Sequence, residues 1–297
     1  MSALTFWPLA ALAEMLGHPF MRHALLAGGA AALGSGAIGF IAFLRGQIFT
    51  ADALGHAAFT GALAALVLGI DLRLGLYAGT LAVALGLGAL DPRGHADDVV
   101  IGSVFAWILG LGVLFLALYA GTNNAGNGAA GPAILFGSIF GLSAGQTWLA
   151  VAGALAAILV LLAIARPLLF ASLDATIAAA QGVPVRALGL IFLALIGAIV
   201  AVETQVIGAL LALGLLAAPP FAAQRLVARP FAALLLSAVL ALAAVWGGLT
   251  IAYAVPRLPP SFAIIALAAA IDLAVLLPAA LRRWRRDRGT PAIRRVL

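Results

Sequence analysis

The chain contains no cysteine and no lysine. Without cysteine there are no disulfides, no thiolate metal sites and no cysteine nucleophile. Without lysine there is no P-loop ammonium for the β/γ-phosphates and no Schiff-base amine. ATP hydrolysis coupled to this chain must therefore come from a partner. His-Glu-x-x-His is also missing, so the chain reads as a non-enzyme. Charge is scarce as well: 9% of the 297 residues are charged, against about a quarter in soluble domains. The remainder is 65% hydrophobic, with a mean hydropathy of +1.20. A crossing helix takes about 20 apolar residues, so the length holds many spans and no soluble domain. The net charge of +6 is no nucleic-acid footprint, because seven of the 16 arginines lie after Leu281. That tail, 282–297, reads as a cytoplasmic anchor to anionic lipid.

What is present is apolar runs: 24–44, 50–69, 72–90, 99–120, 147–165, 187–202, 206–222, 231–252 and 261–281. Residues 1–16 are too short to span and lack a basic n-region, so an interfacial segment is expected rather than a cleaved signal peptide. With the tail inside, alternation places Arg45, Arg93, Arg166, Arg186, Arg225, Arg229 and the tail's seven arginines inside. Only Arg22, Arg73 and Arg257 fall outside, as the positive-inside rule requires. The stretch 187–222 reads either as two spans or as one broken hairpin. Gly75-x-x-x-Gly79, Gly137-x-x-x-Gly141 and Gly141-x-x-x-Gly145 offer faces for close helix packing. The polar stretch Gly121–Gly128 reads as an outer loop.

The stretch around which the chemistry gathers is Asp52-Ala53-Leu54-Gly55-His56-Ala57. A carboxylate and an imidazole four residues apart stack on one helix face, within reach of a common ion. Ionisable groups inside apolar spans mark a pathway or relay. The alternative is that Asp52 caps the helix and His56 is a satisfied core histidine. His18 and His23 flank the first span as anchors or entrance ligands. His95 lies in a turn whose Asp97-Asp98 pair caps the next helix. Glu203, at the break between two runs, is expected at the hydrated outer surface. Asp272, mid-span, needs a donor or a watery cavity. Between Arg166 and Arg186, Asp174 caps a short Ala-rich helix that Gly182 stops, over 171–185. This reads either as a connector or as a cytoplasmic helix on which an ATPase docks, with Ala178 and Gly182 small enough for close approach.

Taken together, these residues resemble the permease subunits of bacterial ABC importers for zinc, manganese or iron. Phe20-Met21-Arg22-His23-Ala24-Leu25 is similar to the family's opening Phe-Met-Arg-Arg-Ala-Leu. Asp52–Ala57 resembles its Asp-Ala-Leu-Ser-His-Ala, with Gly55 replacing Ser. Asp98–Gly102, Leu135–Ile139 and Val206–Pro219 resemble further family segments. The resemblance implies an all-α polytopic membrane protein with about eight or nine transmembrane helices, a short cytoplasmic coupling helix and one permease domain over 1–297. It implies that Asp52 and His56 line the metal path and that Asp174, Ala178 and Gly182 belong to the ATPase-coupling segment. That segment departs from the family at Thr176 and Ala179, where an acid and an arginine are usual. The expected assembly is a homodimer in the bacterial inner membrane, surrounded by lipid, with its C-terminus cytoplasmic. Its partners are a separate ABC ATPase subunit and a periplasmic or lipoprotein metal-binding protein, with no nucleic acid. No resident cofactor is expected; the divalent ion (Zn²⁺, Mn²⁺ or Fe²⁺) is cargo. The alternatives are a permease for a siderophore- or cobalamin-like chelate, an ion-coupled secondary transporter using Asp52 and Asp272, and a non-transporting scaffold.

Overall fold

The computed structural model describes residues 14–90, 98–121 and 134–289. Most of the expected interfacial segment 1–16, His95 and Asp97, the outer loop after Gly121 and the arginine side chains of the tail lie outside them. The elements are α1 (Pro19–Leu44), α2 (Ile48–Leu68), α3 (Leu72–Leu90), α4 (Asp98–Ala120), a 3₁₀ turn (Ile139–Gly141), α5 (Ala144–Leu173), α6 (Ala175–Ala180), α7 (Val185–Val206), α8 (Ala209–Leu226), α9 (Pro230–Ala254) and α10 (Pro260–Gly289). Among the described residues, nine helices, α1–α5 and α7–α10, are long and apolar enough to cross a membrane. The fold is the expected all-α bundle.

Local chemistry sets many of the ends. Pro19 and Pro230 open α1 and α9 at a position where the missing N–H costs nothing. Ser143 and Gln146 form a reciprocal capping box at the start of α5. Gly69, in the left-handed region, closes α2. The central helix is α1, whose apolar window is 78% inside the bundle. Its glycines let neighbours press close: Gly36 lies on the α9 backbone and Gly39 on that of α8.

The 187–222 ambiguity resolves into two spans, α7 and α8, parted at Ile207–Gly208. Gly208 has φ +108, and a Cβ there would collide with the backbone of Phe136. Ser261 Oγ donates to the carbonyls of Phe136 (2.8 Å) and Ile207 (3.1 Å), fastening this break to the start of α10. Of the three glycine repeats, Gly75 and Gly79 do seat one helix on another, meeting Gly61 of α2 backbone to backbone. Gly137 instead abuts Ile207 from outside a helix, and nothing lies against Gly145.

Candidate functional site

Asp52 and His56 sit on α2, which begins at Ile48 with Gln47 as its N-cap residue. Asp52 is thus a full turn inside the helix, where it caps nothing. Both side chains are half-buried, while Ala53, Leu54, Gly55, Ala57 and Ala58 are buried on the rest of the helix. Gly55 lets α2 approach the start of α8, with its Cβ position 3.3 Å from the Ala209 carbonyl oxygen. On the Asp52/His56 side, Phe105 of α4 meets the Phe49 and His56 rings edge-on, at 6.0 and 5.1 Å.

Among the described residues, no hydrogen bond or ion pair reaches Asp52 or His56. The satisfied-histidine alternative therefore has no bond to rest on. No group of three or more His, Asp or Glu residues converges among the described residues. Asp52 and His56 are thus two potential donors on one helix face.

Two further histidines, His18 and His23, fall among the described residues. His18 stacks on Phe20 at 5.4 Å, and His23 Nδ1 lies 3.3 Å from the Leu142 carbonyl oxygen.

Glu203 overturns the expectation of a hydrated surface acid. It is fully buried in the last turn of α7, and neither carboxylate oxygen has a hydrogen-bond partner. The reason is that α7 runs on to Val206 with Val200–Thr204 all inside, so the residue belongs to a packed face. Ser35 of α1 faces it without a completed hydrogen bond. Burying an uncompensated charge costs several kcal/mol (~) in apolar surroundings. Glu203→Gln excludes any charge at nearly constant shape and should leave membrane-inserted protein at or above the parent amount, whereas Glu203→Lys should lower it several-fold (~). Quantified membrane fractions check this; equal losses in both variants would mean that a counter-ion holds the carboxylate.

Asp272 has an unpartnered Oδ1 and lines an open groove of about 580 Å³ between α8 and α10. Ile48, one turn before Asp52, borders the same groove. Arg225 at the end of α8 acts on it as an opposing charge.

The cap, short helix and glycine stop of 171–185 all form. Asp174 Oδ1 accepts from the Ile177 N–H at 2.9 Å, α6 covers Ala175–Ala180, and Gly182 has φ +82. Ala178 itself is fully buried in the bundle's own core. Thr176, Ile177, Ala179 and Ala180 are the exposed ones. Thr176 and Ala179 line an open groove with Pro184, Val185, Arg186 and Leu190.

Sequence reading missed the polar contacts that join distant segments. Tyr77 donates to Gln205 Oε1 (2.9 Å), and Gln205 Nε2 donates to the Gln146 carbonyl (3.2 Å). Arg45, counted from sequence only among the inside arginines, is buried and bonded to Gln47 and Ser172.

The model of the ABC 3 transport family matches residues 17–279. The chain belongs to that family. A manganese transport system membrane protein, MntC, from Halalkalibacterium halodurans is 27% identical over 248 residues, covering 83% of this chain and 80% of the relative. A manganese import system permease protein, ScaB, from Streptococcus parasanguinis is 28% identical over 235 residues, with 79% and 82% covered. Among solved structures, a chain of PsaBC from Streptococcus pneumoniae, in complex with Fab, superposes with a TM-score of 0.75 at 22% identity. It covers 90% of this chain and 94% of the other. A chain of a transporter described as metal-chelate type, in an inward-facing conformation, gives 0.67 at 17% identity, with 94% and 91% covered. The two superpositions show the fold, and the family model makes this ABC 3 chain a multi-pass transport permease.

Proposed function

We propose that this chain is the membrane permease of an ATP-driven importer for a divalent metal ion, with manganese first and zinc or ferrous iron as alternates. The observation that carries the reading is the pair Asp52 and His56: one turn apart, half-exposed, and without a protein partner in a chain of this family. The manganese names of the relatives favour Mn²⁺. Carboxylate plus imidazole suits Mn²⁺, Fe²⁺ or Zn²⁺, whereas Cu(I) prefers sulfur. A site of two donors per protomer binds loosely enough to let its cargo leave. Two copies around a shared axis would double the donors, and a homodimer with α2 facing that axis is the assembly we favour. A separate ATPase meets the groove beside α6 on the cytoplasmic side, and an external metal-binding protein delivers the ion at the opposite end. The C-terminus lies in the cytoplasm and the assembly in the bacterial inner membrane. A chelate importer would leave Asp52 and His56 without a task.

Reconstitution into proteoliposomes tests this division of labour. The permease alone should hydrolyse no ATP and build no Mn²⁺ gradient. With its ATPase subunit added, ATP should drive Mn²⁺ accumulation. Uphill accumulation by the permease alone, driven by an ion gradient, would make it a secondary transporter instead.

A further inference from the structure

The link between α1 and α2 is three residues long, and two of them are buried: Arg45 is 6% exposed and Gln47 3%. An arginine at a membrane interface ordinarily extends its guanidinium to water. Arg45 turns inward instead. Its Nε donates to Gln47 Oε1 at 3.1 Å, and its Nη1 donates to Ser172 Oγ at 3.3 Å. Its guanidinium carbon lies 5.6 Å from the centre of the Phe192 ring. Ser172 in turn donates to the Leu168 carbonyl at 2.6 Å, which fixes its position on the last turn of α5.

These contacts join four elements at one point. Ser172 lies two residues before Asp174, the residue that ends α5 and caps α6. Phe192 lies two turns into α7, just beyond the groove at α6. Gln47 is the N-cap residue of α2, and its carbonyl accepts the Ala51 N–H at 3.2 Å. Asp52 follows five residues later, about 7.5 Å along the helix axis. Arg45 thus spans from the segment beside α6 to the foot of the helix that carries Asp52 and His56.

We propose that Arg45 is a positioning residue that couples movement of the α5–α6–α7 end to the helix carrying Asp52 and His56. The guanidinium is a rigid planar fork that holds two acceptors at fixed directions. When α6 is displaced, Ser172 and Phe192 move with the end of α5 and the start of α7. The bond to Gln47 then carries that displacement into the first turn of α2. A helix moves as a rigid element, so Asp52 and His56 shift together. The inference rests on reading 174–185 as the ATPase contact.

The test uses the assembled transporter, permease with its ATPase, in proteoliposomes, with Mn²⁺ as the probe. Mn²⁺ uptake and ATP hydrolysis are both measured for the parent, Arg45→Gln, Arg45→Lys, Ser172→Ala and the double Arg45→Gln/Ser172→Ala. Mn²⁺ moved per ATP should fall about tenfold in Arg45→Gln, within the range in which single residues alter coupling between sites. The amount of complex and its ATPase rate should stay within about twofold of the parent, since neither site is touched. Arg45→Lys should restore part of the loss, because it keeps the charge but not the fork. Ser172→Ala should lower the ratio by itself and add little in the Arg45→Gln background, as partners in one network do. Proportional loss of uptake and hydrolysis, or multiplying effects of the two single changes, would overturn the proposal. If Arg45→Gln assembles poorly, Ser172→Ala decides: an unchanged ratio overturns the proposal. Thr176→Trp, in the groove at α6, is the control for the premise. Loss of ATPase binding there keeps the coupling reading intact whatever Arg45 does, whereas unchanged binding removes that reading and this proposal with it.

Discussion

Asp52→Asn should lower Mn²⁺ uptake by about tenfold or more, the size that even outer-shell changes reach at metal sites, with no fall in inserted protein. The side chain is half-buried and has no hydrogen bond or ion pair among the described residues. Its charge therefore stabilises nothing in the fold that Asn would fail to hold. What Asn cannot do is offset a partly dehydrated divalent cation. His56→Ala removes the softer nitrogen donor and an edge contact with Phe105, so it should lower uptake strongly with at most a small loss of protein. If the two residues serve one ion, the double variant should be scarcely worse than either single one. Normal uptake in Asp52→Asn, normalised to inserted protein, would remove the main support for a metal path here.

Gly208→Ala should act in the opposite way, removing the protein rather than its transport. At φ +108 and ψ 152 the residue occupies a region open essentially to glycine alone, and a Cβ would collide with the Phe136 backbone. Strain and overpacking together amount to about 3 kcal/mol or more, a large part of a typical stability of about 5–15 kcal/mol. The break at Ile207–Gly208 also sets where α8 starts, and Ala209 is the residue that Gly55 of α2 meets. Inserted protein should fall several-fold (~), and the surviving fraction should melt at lower temperature in detergent. Gly182→Ala also loses a positive φ, but nothing lies within reach of its Cβ. It should cost only about 1 kcal/mol. Equal inserted amounts of Gly208→Ala and parent would mean that the Phe136 and Ile207 segments are not locked together.

The helices and the Asp52/His56 pair were legible in the sequence because both are local patterns: apolar length in one case, a spacing of four in the other. The same locality explains the errors at the ends. Hydropathy stops the fifth long run at 165, before Arg166 and Pro167, yet α5 continues to Leu173 with Pro167 inside it. Proline is tolerated within membrane helices where neighbouring groups satisfy the freed backbone, so it is a poor terminator there. Glu203 was misplaced by the same logic, since a charged residue ends a hydropathy window whether or not it ends a helix. The burial of Ala178 depends on how six residues dock against α5 and α7, which no spacing records. Arg45 and Ser172 are 127 residues apart, and Tyr77 and Gln205 are 128 apart. Such pairs exist only once the bundle has closed.

The central claim is that Asp52 faces a water-lined path that binds a divalent metal. The native chain has no cysteine, so Asp52→Cys introduces this chain's single thiol, and labelling of this chain by a charged, membrane-impermeant reagent reports it. In the assembled transporter, that thiol should react from water during ATP-driven turnover, and Zn²⁺ or Mn²⁺ should slow the reaction in a concentration-dependent way. A thiol that stays inert throughout turnover, or reacts at a rate no metal alters, would contradict the account.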